Sequence, residues 1–90
     1  MDAKTQQALD ILQEECAEVI VEVSKCRRFG LESRHYKTNI PHKEMLEQEI
    51  ADVLAMIDIL IDQTVVDQEN IIEFKKRKID KLKIWSSIFQ

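Results

Sequence analysis

From Leu12 to Val23 the chain reads LQEECAEVIVEV, and at about 100° per residue its apolar and acidic positions fall on two adjoining stripes of one helix. Leu12, Cys16, Val19, Val23 and Cys26 form the apolar stripe, and Glu15, Glu18 and Glu22 form the acidic one at its edge. A second periodic segment makes a seam of Ile50, Val53, Leu54, Ile57 and Ile61, with Glu49 and Asp52 on its flank among Met45, Met56 and Leu60. Glu44, Glu47, Asp58 and Asp62 point away, toward expected solvent. A third segment places Ile71, Ile72, Phe74, Ile79, Leu82 and Trp85 on one face, with Lys75 and Lys78 inside that apolar sector.

The breakers bound three helices. The first is predicted from Asp2, a candidate N-cap, to Phe29, with Gly30 as its stop. Leu31 to Ile40 has no helical stripe, contains Ser33, Thr38 and Asn39, and precedes Pro41, so it reads as a loop of about a dozen residues, a length that is often functional. The second helix begins near Pro41, which suits the first helical position, and ends near Gln63 or Thr64. Asp67 offers an N-cap to the third, predicted from Gln68 to Ser86 or beyond. The expected fold is therefore all-α, a bundle of about three main helices in one domain over residues 1–90.

A chain of 90 residues buries a modest core unless it pairs with copies of itself, and Ile59, Ile84 and Ile88 lie off the main seams as a second apolar surface. A homodimer or homotetramer is expected. Residues 75–83 set six basic residues against Asp80, a net +5, so in a total of −4 the remainder carries −9. That acidic balance argues against nucleic acid or an anionic membrane as partner. Cys16 and Cys26 lie about 15 Å apart along one helix, too far to bridge, and read as reduced residues of a cytoplasmic protein. No apolar run approaches the roughly 18 residues of a membrane span, and no signal peptide is recognisable.

The acids carry the candidate chemistry. Glu15 with Glu18, and Glu49 with Asp52, are i, i+3 pairs whose side chains converge despite repulsion. If the helices pack antiparallel, Glu18 and Asp52 both lie about 15–16 Å from the connecting loop, so the two pairs can face each other. Burying several carboxylates costs several kcal/mol each unless a cation compensates. Oxygen donors without His or Cys select Mg²⁺ or Mn²⁺ over zinc, and a magnesium cluster keeps positions open for phosphate oxygens. The implied ligand is a nucleotide or another polyphosphate. Ordinary solvated helix acids account for the same strings and stay open as an alternative.

LQEECAEVI, then SKCRRFG, then LEQEIADVLAMIDIL together resemble the MazG-like nucleoside triphosphate pyrophosphohydrolases, particularly the small single-domain forms common in bacteriophages; the likeness covers roughly residues 9–62. EExxE stands as Glu14, Glu15 and Glu18, and ExxD as Glu49 and Asp52. The resemblance implies an all-α fold completed by oligomerisation, Mg²⁺ held by Glu15, Glu18, Glu49 and Asp52, and hydrolysis of a nucleoside triphosphate between its α and β phosphates to NMP and pyrophosphate. If phage-encoded, such a protein would work in the host cytoplasm. One departure is the gap of 30 residues between Glu18 and Glu49, long for this family, which falls in the 31–40 loop and bears on substrate contacts there.

Within this reading Glu14 or Glu18 serves as the catalytic base, and Lys75 and Lys78 are candidates to neutralise departing pyrophosphate. Lys25 and Arg28 either touch phosphate or only complement the helix C-terminus. Glu22 continues the stripe outside the motif, so it is expected to reach a metal only through other ligands. Phe29, Tyr36 and Trp85 are the aromatic candidates for stacking on a base, and His35 and His42, lacking metal-ligand spacing, are expected at the surface. Two alternatives remain: phosphoribosyl-ATP pyrophosphohydrolase, which shares the helical fold and an EIADVL-like segment, and a non-catalytic nucleotide-binding or protein-interaction module.

Overall fold

The computed structural model describes all 90 residues as three helices without strands: α1 (Ala3–Phe29), α2 (His42–Asp62) and α3 (Gln68–Trp85). The caps follow the sequence. Asp2 accepts from the Thr5 backbone N–H at 2.7 Å, and Gly30, at φ +96°, ends α1 by returning its N–H to the Cys26 carbonyl. Asp67 caps α3 through Glu69 and Asn70 at 2.8 and 3.2 Å. Pro41 stands one place before its expected position, as the N-cap of α2 at ψ 142°. The reason lies in the loop: Pro41 pairs with Arg34 in an antiparallel bridge, which holds it extended.

The connection between α1 and α2 is ordered by its own hydrogen bonds. The His35 N–H donates to the Ile40 carbonyl at 2.9 Å, the Asn39 N–H to His35 at 2.8 Å, and the His42 N–H to Ser33 at 2.9 Å. Arg34 Nη1 caps the Asn39 carbonyl at 2.8 Å, and Asn39 takes the left-handed conformation at φ +60°, which Asn tolerates well. The loop therefore closes as a short hairpin and fixes how α1 and α2 leave it.

Those two helices pack side by side, and the face they share takes in only part of each apolar seam. On α1, Ala8, Glu22 and Cys26 are buried and Leu12, Glu15 and Val19 half-buried, whereas Cys16 and Val23 are exposed. On α2, His42, Met56 and Leu60 are buried and Met45, Glu49, Val53, Ile57 and Ile61 half-buried, whereas Ile50 and Leu54 are exposed. Each helix is rotated toward its acidic edge relative to the apolar seam. Ala8, Met56 and Leu60, with Leu9, Ile11, Leu12, Val65 and Val66, make a small core at the end remote from the loop.

The displaced apolar residues leave a shallow groove of about 190 Å³ lined by Cys16, Val19, Ile50, Val53 and Leu54. After α2 the chain turns at Thr64 (φ +56°), and α3 has no packing against either helix comparable to that of α1 on α2. Ile72, Phe74 and Trp85 are exposed, as are Ile59, Ile84 and Ile88. Both cysteines are free, Cys16 exposed and Cys26 buried. No helix is long and apolar enough to cross a membrane.

Candidate metal centre

The rotation of α1 and α2 turns their acids toward each other. Glu15 on α1 and Glu49 and Asp52 on α2 each bring a carboxylate oxygen within 4.8 Å of the other two. Glu15 and Glu49 are half-buried and Asp52 is exposed, so the trio opens to solvent on one side. Glu18, exposed one turn beyond Glu15, lies outside that spacing, so three of the four expected ligands converge and the fourth stands at the rim. The α1 residue opposite Asp52 is Glu15 rather than Glu18, one turn from where the count along straight helices puts it.

The electrostatics are those of a site lacking positive charge. Burial and then the Asp52 carboxylate push the pKa of Glu15 above its ordinary 4.5, with Glu49 and Glu18 adding to the effect. Burial again leads for Glu49, followed by Asp52, Glu18 and Glu22, and raises its pKa too. None of the ion pairs in the chain involves Glu15, Glu18, Glu49 or Asp52. Like charges at such spacing repel, and spreading into water is the ordinary way to relieve them. Here helix packing holds them together.

Glu22 is more deeply placed than its position outside the motif implies, at 4% exposed. Its Oε1 accepts from Lys25 Nζ at 3.3 Å, while Oε2 is buried with no hydrogen-bond partner. The 15, 19, 22, 26 spacing along the packed face was the signal for this burial, and it competed with the apolar 12, 16, 19, 23 stripe. His42 is likewise buried, contrary to its expected surface place, because Phe29 stacks on it at 5.4 Å as the loop closes.

The remaining candidates are dispersed. Glu14 is exposed on the outer side of α1. Lys25 is half-buried beside Glu22, and the Arg28 guanidinium lies over the Phe29 ring at 4.9 Å. Lys75 and Lys78 are exposed on α3 and pair with none of the hairpin acids.

The donor set suits a hard cation. Two oxygens bound to one Mg²⁺ at about 2.1 Å lie about 3–4 Å apart in an octahedron, and the trio's oxygens lie within 4.8 Å of one another. No family model, no curated protein and no solved structure matches the chain.

Proposed function

We propose that the chain is a Mg²⁺-dependent nucleoside triphosphate pyrophosphohydrolase whose metal is held by Glu15, Glu49 and Asp52 with Glu18 beside them, Mn²⁺ being the natural substitute. One observation carries this reading: carboxylate oxygens from two helices lie within 4.8 Å of one another with no cationic side chain paired to them. When bound, the metal supplies charge to screen the phosphates and acidifies water in its shell. Glu18, at the rim, accepts the proton as the water oxygen bonds to the α-phosphorus. The bond from that phosphorus to the bridging oxygen breaks, and pyrophosphate leaves with its electron pair. Glu14 is the other acceptor on this helix, and its outward direction makes it the poorer one. Lys25, anchored by Glu22, and Arg28 place positive charge at the loop end of the site.

A second copy of the chain completes the fold in this reading. The radius of gyration is 16.0 Å, against about 12 Å for a compact domain of this length, and no side chain reaches full burial. The groove at Ile50 and Leu54 and the apolar face of α3 are each unpartnered within one chain, and the net +5 of residues 75–83 complements the acidic hairpin. A homodimer or homotetramer that lays α3 of one copy over the hairpin of another covers both faces. Lys75 and Lys78 then approach the acids in trans.

The test is pyrophosphate release from the common ribo- and deoxynucleoside triphosphates. Activity should vanish with chelator and in Glu15→Ala and Asp52→Asn variants that keep the helical circular dichroism and subunit count of the parent. Retained activity in both variants overturns the proposal. Turnover of phosphoribosyl-ATP alone assigns the related hydrolase, and metal-dependent binding of a non-hydrolysable triphosphate without turnover of any substrate assigns a sequestering module.

A further inference from the structure

The hairpin has two buried regions of different chemistry. Remote from the loop the buried residues are Ala8, Met56 and Leu60, all apolar; at the loop end they are Glu22, Cys26 and His42. Glu22 Oε2 and His42 Nδ1 are buried there without partners. Unmatched polar atoms are uncommon in folded proteins and call for a physical account.

His42 is part of the wall of a cavity of about 280 Å³ whose lining combines rings and cations. Phe29 stacks on His42 (5.4 Å, 24°) and Tyr36 on His35 (4.9 Å, 22°), and the two imidazoles meet edge to face at 6.3 Å. Lys25, Ser33 and Arg34 complete the lining. The loop hydrogen bonds hold the walls, and His35 Nδ1 itself accepts from Lys37 N–H at 3.1 Å. Ligand cavities usually start at about 300 Å³, so this one suits a single planar ring system rather than a whole nucleotide. Aromatic faces bind any flat heteroaromatic ring by stacking.

Lys25 joins this cavity to the acidic centre, since it lines the one and donates to Glu22, whose charge acts on Glu49, in the other. From the trio itself, Lys25 lies ten residues beyond Glu15, and His42 lies seven before Glu49 and ten before Asp52, about 10–15 Å along the helices. That separation is within the span of a nucleoside triphosphate extended from its base to its terminal phosphate. We infer that the cavity between Phe29, His35, Tyr36 and His42 receives the planar heteroaromatic ring of a phosphorylated ligand whose phosphates reach the acidic centre, with Lys25 at the joint. The phosphate half rests on the metal reading above; the ring half rests on the cavity.

The test is NMR on the full chain in Mg²⁺, with ATP, CTP, inorganic triphosphate and adenosine as probes. ATP or CTP should move the ring resonances of Phe29, Tyr36 and His42, adenosine should do so at higher concentration, and inorganic triphosphate should leave them in place. Tyr36→Ala, at a site 85% exposed and therefore tolerant of substitution, should weaken nucleoside triphosphate binding about ten-fold without changing the affinity for inorganic triphosphate. Equal affinity for inorganic triphosphate and both nucleotides, with unmoved ring resonances, overturns the ring site and leaves the metal reading intact. Ring shifts by ATP and CTP that are equally strong with and without Mg²⁺ support the ring site and overturn the metal reading. No binding of any probe overturns both.

Discussion

Replacing Glu49 by Gln separates a metal centre from a patch of surface acids, because the two readings give opposite signs under one pair of conditions. Glu49 is half-buried, and Asp52, Glu18 and Glu22 all act against its charge. Gln keeps the shape and removes the charge. In chelator, relief of those repulsions should stabilise the variant by about 1 kcal/mol once solvent screening is allowed for. For a domain of this size that raises the melting temperature by about 4–8 °C. In Mg²⁺ at about a hundred times its dissociation constant, the wild type gains about 2.7 kcal/mol, or roughly 10–20 °C, while a variant that has lost a ligand gains little. The two melting temperatures should cross as Mg²⁺ is added, measured by circular dichroism at one fixed protein concentration. A variant that melts below the wild type in chelator, or that gains as much from Mg²⁺, refutes the reasoning.

Other consequences are open to direct measurement. Glu15 and Glu49, with pKa values raised above 4.5, stabilise the metal-free fold fully below that pH, and the contribution is lost as pH rises through their raised values. Asp2, lowered from 3.8 by the Thr5 backbone N–H, works the other way and loses its contribution as pH falls through its lowered value. The melting temperature in chelator should therefore rise as pH falls from neutrality toward about 4.5 and turn over at lower pH; a steady fall across that range contradicts the arrangement. Asp67→Ala removes a cap that accepts from two N–H groups on a helix with little other support, and should cost about 1 kcal/mol, read as lost helicity and a lower urea midpoint. Leu54→Glu, at a site 56% exposed in one chain, should lower the subunit count in sedimentation; an unchanged count shows that the groove is not the contact.

Much of the local structure is legible along the chain because its causes are local. Asp2, Gly30 and Asp67 stand where helices start and stop, and each acts through backbone groups within a few residues. The three helices and the i, i+3 pairing of Glu15 with Glu18 and of Glu49 with Asp52 follow from sequence spacing. The rotation of α1 and α2 does not, because on each helix an acidic stripe adjoins an apolar one and periodicity ranks the apolar stripe first. That choice was made by the loop, whose pairing of Ser33 to His42 and His35 to Ile40 sets the angle at which both helices emerge. Burial of Glu22 and His42 follows from the same closure, and neither residue type announces it.

Chain order likewise determined where α3 begins but not where it goes. A helix with apolar and basic residues on one face is stable only against a surface that complements both, and a sequence does not say whether that surface belongs to the same chain. The turn at Thr64 and the contact of Val65 and Val66 with the small core direct α3 away from its own hairpin. Periodicity is a property of neighbours in sequence, whereas the meeting of three carboxylates depends on how two rigid rods are clamped, and only the folded chain decides that.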